Sequence, residues 1–224
     1  MSFLDREAGP ASLVASVPAA VAALTGHRRT AAALLTLPVA VAAFFRDPDR
    51  APDSAAGAAR FSGDPDLVVA PADGKVMHAG PAQTGVAPPG AWQQVSIFLS
   101  VFDVHINRTP YGGTVTDVTY RPGRWLAAYK FESATENERS EITIEREVAG
   151  RTRRIIFRQI VGLVARRVVT RVTPGQVLAT GERIGLMKFG SRMDIFIPAG
   201  ADLLVAKGDR TVAGEMVIAR WRQS

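Results

Sequence analysis

The sequence contains no cysteine and only three histidines among its 224 residues. Without cysteine, the chain forms no disulfide, thiolate nucleophile, iron–sulfur cluster or cysteine-ligated zinc site. The histidines stand far apart, at His27, His78 and His105, which argues against a multi-histidine metal centre. Only 7% of the residues are aromatic, and zinc-finger spacing, RNP-like aromatic motifs and lysine-rich tails are missing. The sequence therefore predicts no bound metal and no nucleic-acid partner.

The net charge and the apolar content indicate the kind of partner and the kind of fold. The formal net charge of +6 favours anionic partners, and an acidic lipid surface is the candidate that remains once nucleic acid is set aside. Hydrophobic residues make up 47% of the chain, which is enough for a sizeable core and is not typical of disorder. The length predicts one large domain, or one domain with a short appendage.

The N-terminal region is Ala-rich and apolar in two runs, residues 11–25 and 30–45, separated by Gly26, His27 and two arginines. As a helix each run is about 22–24 Å long, shorter than the roughly 30 Å hydrocarbon core of a bilayer. We therefore expect residues 1–46 to form a membrane-associated helical hairpin in one leaflet, with the arginines reaching the headgroups. A signal peptide and a hairpin packed into the core stay open as alternatives. Residues 47–65, rich in Pro, Gly, Asp and Ala, are typical of a linker.

Residues 66–224 have the texture of a β domain. Short β-branched runs bounded by Gly and Pro indicate a mainly β, sandwich-like or barrel-like catalytic domain. The runs predicted as strands are residues 67–70, 94–101, 114–120, 141–148, 153–162, 194–200 and 203–208. Residues 123–140 form the main irregular stretch, with room for one helical turn, and long loops in compact β domains are often functional.

Three short motifs contain side chains that could take part in catalysis. They are PADGK at residues 71–75, FDVHINR at 102–108 and KFGSR at 188–192. Each alone is typical of ordinary structure, since Asp-Gly marks turns and Gly-Ser is common in loops. Together they offer the carboxylate of Asp73, the imidazole of His105 and the hydroxyl of Ser191, which are the parts of an Asp/His/Ser relay.

The ordered combination of these motifs is far more specific than any one of them. With the N-terminal runs, it resembles the phosphatidylserine decarboxylase proenzymes, in particular their short prokaryotic, archaeal-type branch. The resemblance covers most of the chain outside its N-terminus. It runs from FFRDP at residues 44–48 through VVAPADGKV, FDVHINRTP and NERSE to GERIGLMKFGSRMDIFIP at residues 181–198.

The resemblance implies a cofactor that the chain makes from itself. The precursor is expected to cut its backbone between Gly190 and Ser191, giving a large chain of residues 1–190 and a small chain of residues 191–224. Ser191 would become a pyruvoyl group. His105 matches the family's base and Asp73 the aspartate that orients or charges the ring. Some family members carry a second histidine three residues earlier, where this chain has Phe102.

The same resemblance implies a substrate, a reaction and a location. The chain would convert phosphatidylserine to phosphatidylethanolamine and CO2 through a Schiff base on the pyruvoyl carbonyl, which acts as the electron sink. Asn137, Glu138 and Arg139 match the family's NER element and are expected either to shape the substrate pocket or to brace a loop. We expect the protein at the cell membrane, on its cytoplasmic face, and the sequence leaves homo-oligomer formation open.

Three other functions remain open on the sequence alone. The first is a pyruvoyl decarboxylase of a soluble amino acid, which the apolar N-terminus disfavours. The second is a biotinyl or lipoyl carrier, because residues 186–189 are similar to the hairpin around the modified lysine of such modules. The third is a membrane-tethered β module that binds a ligand without catalysis. Only self-cleavage at Ser191 distinguishes the proenzyme from the carrier and the binding module, since both of these stay uncut.

Overall fold

The computed structural model describes residues 4–50, 64–163, 167–188 and 190–222. The chain folds as two compact units, Met1–Asp49 and Arg50–Ser224. The first is helical, and the second holds every strand of the described residues.

The first unit contains α1 (Ala8–Leu24), α2 (Arg28–Leu34) and α3 (Thr36–Phe44). Alanine and leucine favour the helical conformation, and α1 ends before Gly26, whose φ of +82° lies in the left-handed region. The apolar run at residues 30–45 is divided between α2 and α3, which both pack against α1. Large apolar side chains, Leu13 and Leu24 among them, are exposed on these helices. Among the residues described, none of the helices has both the length and the apolar character of a membrane span.

In the described residues of the second unit there are fourteen strands and a helical turn, α4 (Ser133–Glu136), which lies between β5 and β6. The strands are β1 (Leu67–Val69), β2 (Gly74–Pro81), β3 (Trp92–Leu99), β4 (Ile106–Arg108), β5 (Gly113–Arg121), β6 (Arg139–Val148), β7 (Arg151–Ile160), β8 (Val168–Thr170), β9 (Val177–Leu178), β10 (Arg183–Met187), β11 (Ser191–Pro198), β12 (Ala201–Leu203), β13 (Arg210–Thr211) and β14 (Val217–Trp221).

These strands, all from the described part of the chain, form three antiparallel sheets. The largest is a curled eight-stranded sheet with the order β13-β2-β3-β11-β7-β6-β5-β9. The two smaller sheets have the orders β1-β14-β12 and β4-β10-β8. The mainly β fold expected from the alternation of apolar and polar residues is confirmed.

The core lies between one face of the large sheet and the two small sheets. Alternate residues of the large sheet, such as Ile97, Phe157 and Ile195, pack in one cluster with Ile184 of β10 and Ile218 of β14. Each is fully buried, and burial of such a side chain stabilises the fold by about 1.5–3 kcal/mol. Strand β11 is the central element, because it is paired on both sides, with β3 and β7.

One predicted strand is wrong. The run at residues 203–208 reads as apolar and β-branched, yet β12 ends at Leu203. The following residues turn back, since the backbone N–H of Ala206 donates to the Asp209 carboxylate and Gly208 takes a φ of +106°. A turn of this kind cannot continue a ladder.

Candidate active site

The strands of the large sheet bring the three motifs to the same end of the sheet. Strands β2, β11 and β6 begin there, and β3, β7 and β5 end there. The pairing register shows this directly, because one row across the sheet consists of Lys75, Phe98, Arg192, Ile160 and Arg139. Neighbouring strands lie about 4.8 Å apart. The segments just beyond this row, which carry the motifs, therefore meet.

Ser191 is the first residue of β11 and is completely buried. Within the described part of the chain, its hydroxyl has no hydrogen-bond partner. The preceding Gly190 has a φ of +63°, in the left-handed region that favours glycine. Its carbonyl oxygen lies against Gly162, where an added Cβ would stand only 1.9 Å away. The Gly190–Ser191 peptide thus joins a left-handed glycine to a buried hydroxyl that has no hydrogen-bond partner among the described residues.

His105 is buried in the segment between β3 and β4. Its Nδ1 lies 2.9 Å from the backbone oxygen of Asp103. A carbonyl oxygen only accepts, so Nδ1 carries the proton of the neutral ring and Nε2 is the basic nitrogen. The backbone oxygen of His105 accepts from the N–H of Met187, three residues before Gly190. His105 and the predicted cleavage site are therefore tied to each other next to the β4–β10 ladder.

Asp73 does not share a hydrogen bond with His105. One oxygen of its carboxylate accepts from the guanidinium of Arg50 at 2.8 Å, and the other from the backbone N–H of Ala213 at 2.8 Å. The two motifs do touch through their backbones, because the N–H of Arg108 donates to the carbonyl of Pro71. The imidazole is oriented by the Asp103 carbonyl. The carboxylate of Asp73, which the family resemblance predicts to contact the ring, bonds to Arg50 and Ala213 instead.

Asn137 holds two loops together at this end of the sheet. Its amide nitrogen donates to the backbone oxygens of Leu126 and Val161, at 2.8 Å each, and its oxygen accepts from the N–H of Leu126. Because Val161 precedes Gly162, this amide positions the residue that contacts the Gly190 carbonyl.

Glu138 and Arg139 brace the same loops. The carboxylate of Glu138 accepts from the indole N–H of Trp125 and from the backbone N–H of Val168, each at 3.3 Å. The guanidinium of Arg139 donates to two backbone carbonyls at the end of α4, and burial lowers its pKa. The hydrogen bonds of the NER element run to loop backbone and to Trp125. A direct contact of these residues with substrate stays a prediction.

Sequence reasoning missed a polar cluster on the core face beside Ser191. The Gln159 amide donates to Asn107 at 2.9 Å and accepts from Thr170 at 2.8 Å. Gln159 lies opposite Met193 and so is a diagonal neighbour of Ser191. The amide nitrogen of Asn107 and the hydroxyl of Ser140 are buried without a partner among the described residues. The sequence signal that could have revealed this cluster is Gln159 itself, because it continues the core-facing positions of Ile155 and Phe157 with a polar residue.

A buried ion pair fixes the residue that follows Ser191. The guanidinium of Arg192 lies 2.7 Å from the carboxylate of Asp194, with both side chains almost fully buried. Arg192 also donates to the hydroxyl of Ser96 at 3.2 Å. These contacts lie on the opposite face of the sheet from the core. They hold the start of β11 in register independently of the peptide bond that precedes Ser191.

Comparison with known proteins decides the family. Residues 38–219 match the family model for phosphatidylserine decarboxylase. The chain belongs to the phosphatidylserine decarboxylase family. This confirms the resemblance drawn from the sequence motifs, and it leaves the carrier and binding-module alternatives without support.

Curated phosphatidylserine decarboxylase proenzymes match over most of their length. The chain is 46% identical over 177 residues to the proenzyme of Solibacter usitatus, covering 79% of this chain and 76% of that one. It is 42% identical over 180 residues to the Rhodospirillum rubrum proenzyme, with coverages of 79% and 71%. It is 40% identical over 213 residues to the Trichlorobacter lovleyi proenzyme, with coverages of 95% and 87%.

Proposed function

We propose that this phosphatidylserine decarboxylase cuts itself between Gly190 and Ser191 and uses the pyruvoyl group made from Ser191 to convert phosphatidylserine to phosphatidylethanolamine and CO2. The observation that carries the proposal is the left-handed Gly190, whose carbonyl lies against Gly162, followed by a buried serine hydroxyl without a partner in the described residues. Glycine adopts this backbone conformation at little cost, and a buried hydroxyl that lacks a partner is a recognised sign of a catalytic role.

The cleavage follows from these groups. Ser191 Oγ attacks the Gly190 carbonyl carbon, and the amide C–N bond breaks to leave an ester. Loss of the α proton of residue 191 expels the Gly190 carboxylate and leaves dehydroalanine. Water then replaces the nitrogen, which departs as ammonia. Precursor plus one water therefore gives two chains plus ammonia.

His105 is the proton acceptor that we assign to this step. A serine hydroxyl is a weak nucleophile at neutral pH and needs a base. The Asp103 carbonyl holds the ring in the tautomer that leaves Nε2 basic. In the family members with two histidines the work can be divided, but this chain has Phe102 at the other position. We therefore assign to the same imidazole the return of a proton to the substrate's α carbon during turnover.

The surroundings of residue 191 fit a pyruvoyl group. When present, that group supplies an electrophilic carbonyl for the substrate's amine and a sink for the electrons released with CO2. The hydroxyl of Ser140, opposite Gln159 on the core face of the large sheet, and the amide nitrogen of Asn107, on β4 and bonded through its oxygen to Gln159, are donors that are buried and without partners among the residues described. Such donors hold polar oxygens at low cost because they are already desolvated.

The fold also supports retention of the small chain after cleavage. Strands β11 and β14 belong to the small chain. Strand β11 is bonded to β3 and β7, and β14 is bonded to β1, and these three partner strands belong to the large chain. We expect the two chains to remain one folded unit.

We further propose that the enzyme works at the membrane, on its cytoplasmic face. The exposed apolar side chains of α1 and α3, including Leu13, Val14 and Val39, support attachment to a lipid surface. They also disfavour a soluble amino acid as the substrate. Whether copies of the chain associate is a separate question, which sedimentation of the solubilised enzyme answers.

Release of labelled CO2 from phosphatidylserine vesicles, together with gel analysis of the chains, tests the function. Ser191→Ala is expected to stay uncut and inactive, because it removes the nucleophile and the precursor of the ketone. His105→Ala is expected to cut itself at least about 10²-fold more slowly. The matched control is Thr116→Ala, an exposed hydroxyl on β5, which should be cut and active. A cleaved or active Ser191→Ala protein would overturn the proposal.

A further inference from the structure

Exposed apolar side chains gather on the loops at the end of the sheet where Ser191 lies. The loops that follow β3, β5 and β7 all leave from this end, as the pairing register requires. Six large apolar residues on them are exposed, by between 47% for Val101 and 83% for Phe102. We call this set the loop-tip surface. It consists of Val101, Phe102, Trp125, Tyr129, Phe131 and Leu163.

The loop-tip surface is attached to the active-site residues by direct contacts. The indole of Trp125 donates to Glu138. The ring of Tyr129 packs edge-on against Phe98, with the ring centroids 6.2 Å apart, and Phe98 is paired with Arg192 next to Ser191. Whatever the loop-tip surface binds therefore lies at the end of the sheet where β11 begins, and the Tyr129 contact is on the sheet face away from the core.

The composition of the loop-tip surface identifies its ligand. Tryptophan, tyrosine and phenylalanine together are typical of side chains at the interface between lipid headgroups and acyl chains. Residues 121–131, from the last residue of β5 to Phe131, add the cations Arg121, Arg124 and Lys130 and contain no acidic residue. Arg124 is paired with Glu136 at 2.8 Å and Glu132 directly follows the segment, so Arg121 and Lys130 are the cations that count toward a lipid contact. Basic side chains beside interfacial aromatics suit a bilayer that carries anionic lipid.

We propose that the loop-tip surface inserts into the interfacial layer of an anionic bilayer and holds the active site of the second unit against the lipid. This inference rests on the proposed function, because it is the lipid substrate that gives the surface its purpose. It adds a membrane contact that is separate from the apolar helices of the first unit. The active site would then receive its substrate without the lipid crossing water.

The tryptophans of the chain make this contact measurable. All three lie in the second unit, at Trp92, Trp125 and Trp221. Trp92 begins β3 at the opposite end of the sheet, and Trp221 packs against Tyr111 under the guanidinium of Arg153. Trp125 alone belongs to the loop-tip surface. Quenching of its emission by lipids with brominated acyl chains reports insertion of the second unit and not of the helices.

The experiment uses the full chain and vesicles of brominated phosphatidylcholine with phosphatidylglycerol, an anionic lipid that is not the substrate. We expect the vesicles to quench the wild-type emission. Trp125→Phe should remove nearly all of the quenching, and the matched control Trp92→Phe should retain it. Tyr129→Ser with Phe131→Ser should lower the quenching of Trp125 at least about threefold, because the lost apolar area weakens insertion. The control variant Val177→Ser changes an exposed apolar residue near the other end of β5 and should leave the quenching of Trp125 unchanged.

Equal quenching in Trp125→Phe and wild type would overturn the inference. So would wild-type protein that sediments with vesicles without being quenched, or that does not bind them. The state of the Gly190–Ser191 bond, read on a gel from the same sample, separates the two proposals. An uncut, inactive chain with a quenched Trp125 would contradict only the proposed function. A cut, active chain with an unquenched Trp125 would contradict only the insertion.

Discussion

Replacement of Gly162 by alanine tests whether the position of the Gly190 carbonyl controls self-cleavage. An alanine Cβ at residue 162 would lie 1.9 Å from the Gly190 oxygen, whereas carbon–oxygen contacts are normally about 3.3 Å. The carbonyl must therefore move by at least about 1 Å. A displacement of that size at a reacting centre slows a reaction about 10²-fold, which corresponds to about 2.7 kcal/mol in the activation barrier.

The assay follows conversion of the precursor into its two chains by gel electrophoresis after synthesis. Gly200→Ala is the matched control, since a Cβ there meets no atom within 4 Å, and it should be processed like the wild type. Overpacking at Gly162 also costs about 1–3 kcal/mol of stability, so thermal unfolding must show that the variant is folded at the assay temperature. A folded Gly162→Ala protein that is cut at the wild-type rate would refute the reasoning.

Two further predictions concern stability. Asp194→Asn leaves the Arg192 cation buried without its anion and should cost about 3–5 kcal/mol, seen by calorimetry as a fall of roughly 10 °C in Tm. Glu145→Gln breaks an exposed pair and should cost at most about 1 kcal/mol; equal losses in the two variants would count against the buried pair. Burial raises the pKa of the Tyr111 phenol, so its contribution is present below about pH 10 and lost as the pH rises above it. Between about pH 9 and 11, the free energy of unfolding measured by urea titration should fall less with rising pH in Tyr111→Phe than in the wild type. An equal fall in the two proteins would contradict this.

Local pattern was enough to predict the β class and most of the long strands. Alternation of apolar and polar residues marks β3, β5, β6 and β7, because one face of each packs on the core. Strand β2 was missed, since its first residue belongs to the PADGK motif, which reads as a turn. Residues 203–208 were wrongly predicted as a strand because their composition is apolar, while the bond from Ala206 to Asp209 closes a turn.

The residues of the candidate site could be predicted only where a motif is complete within a few residues. Gly190, Ser191 and His105 stand in such motifs. Gly162 does not, because its contact with the Gly190 carbonyl depends on how β7 is paired with β11. The partners of Asp73 could not be predicted either, because Arg50 and Ala213 lie 23 and 140 residues away from it in sequence. Contacts between segments far apart in the chain follow from the sheet register, which no local pattern contains.

Intact-mass analysis of freshly purified wild-type protein, before and after treatment with a carbonyl-trapping hydroxylamine reagent, shows whether the chain cuts itself and whether residue 191 becomes a ketone. We expect two chains, residues 1–190 and 191–224, whose summed mass equals that of the precursor plus water minus ammonia. The small chain alone should gain the mass of the reagent minus one water, because the ketone and the hydroxylamine condense to an oxime. A single uncut chain, or a small chain with an unmodified serine at residue 191, would contradict the proposed function.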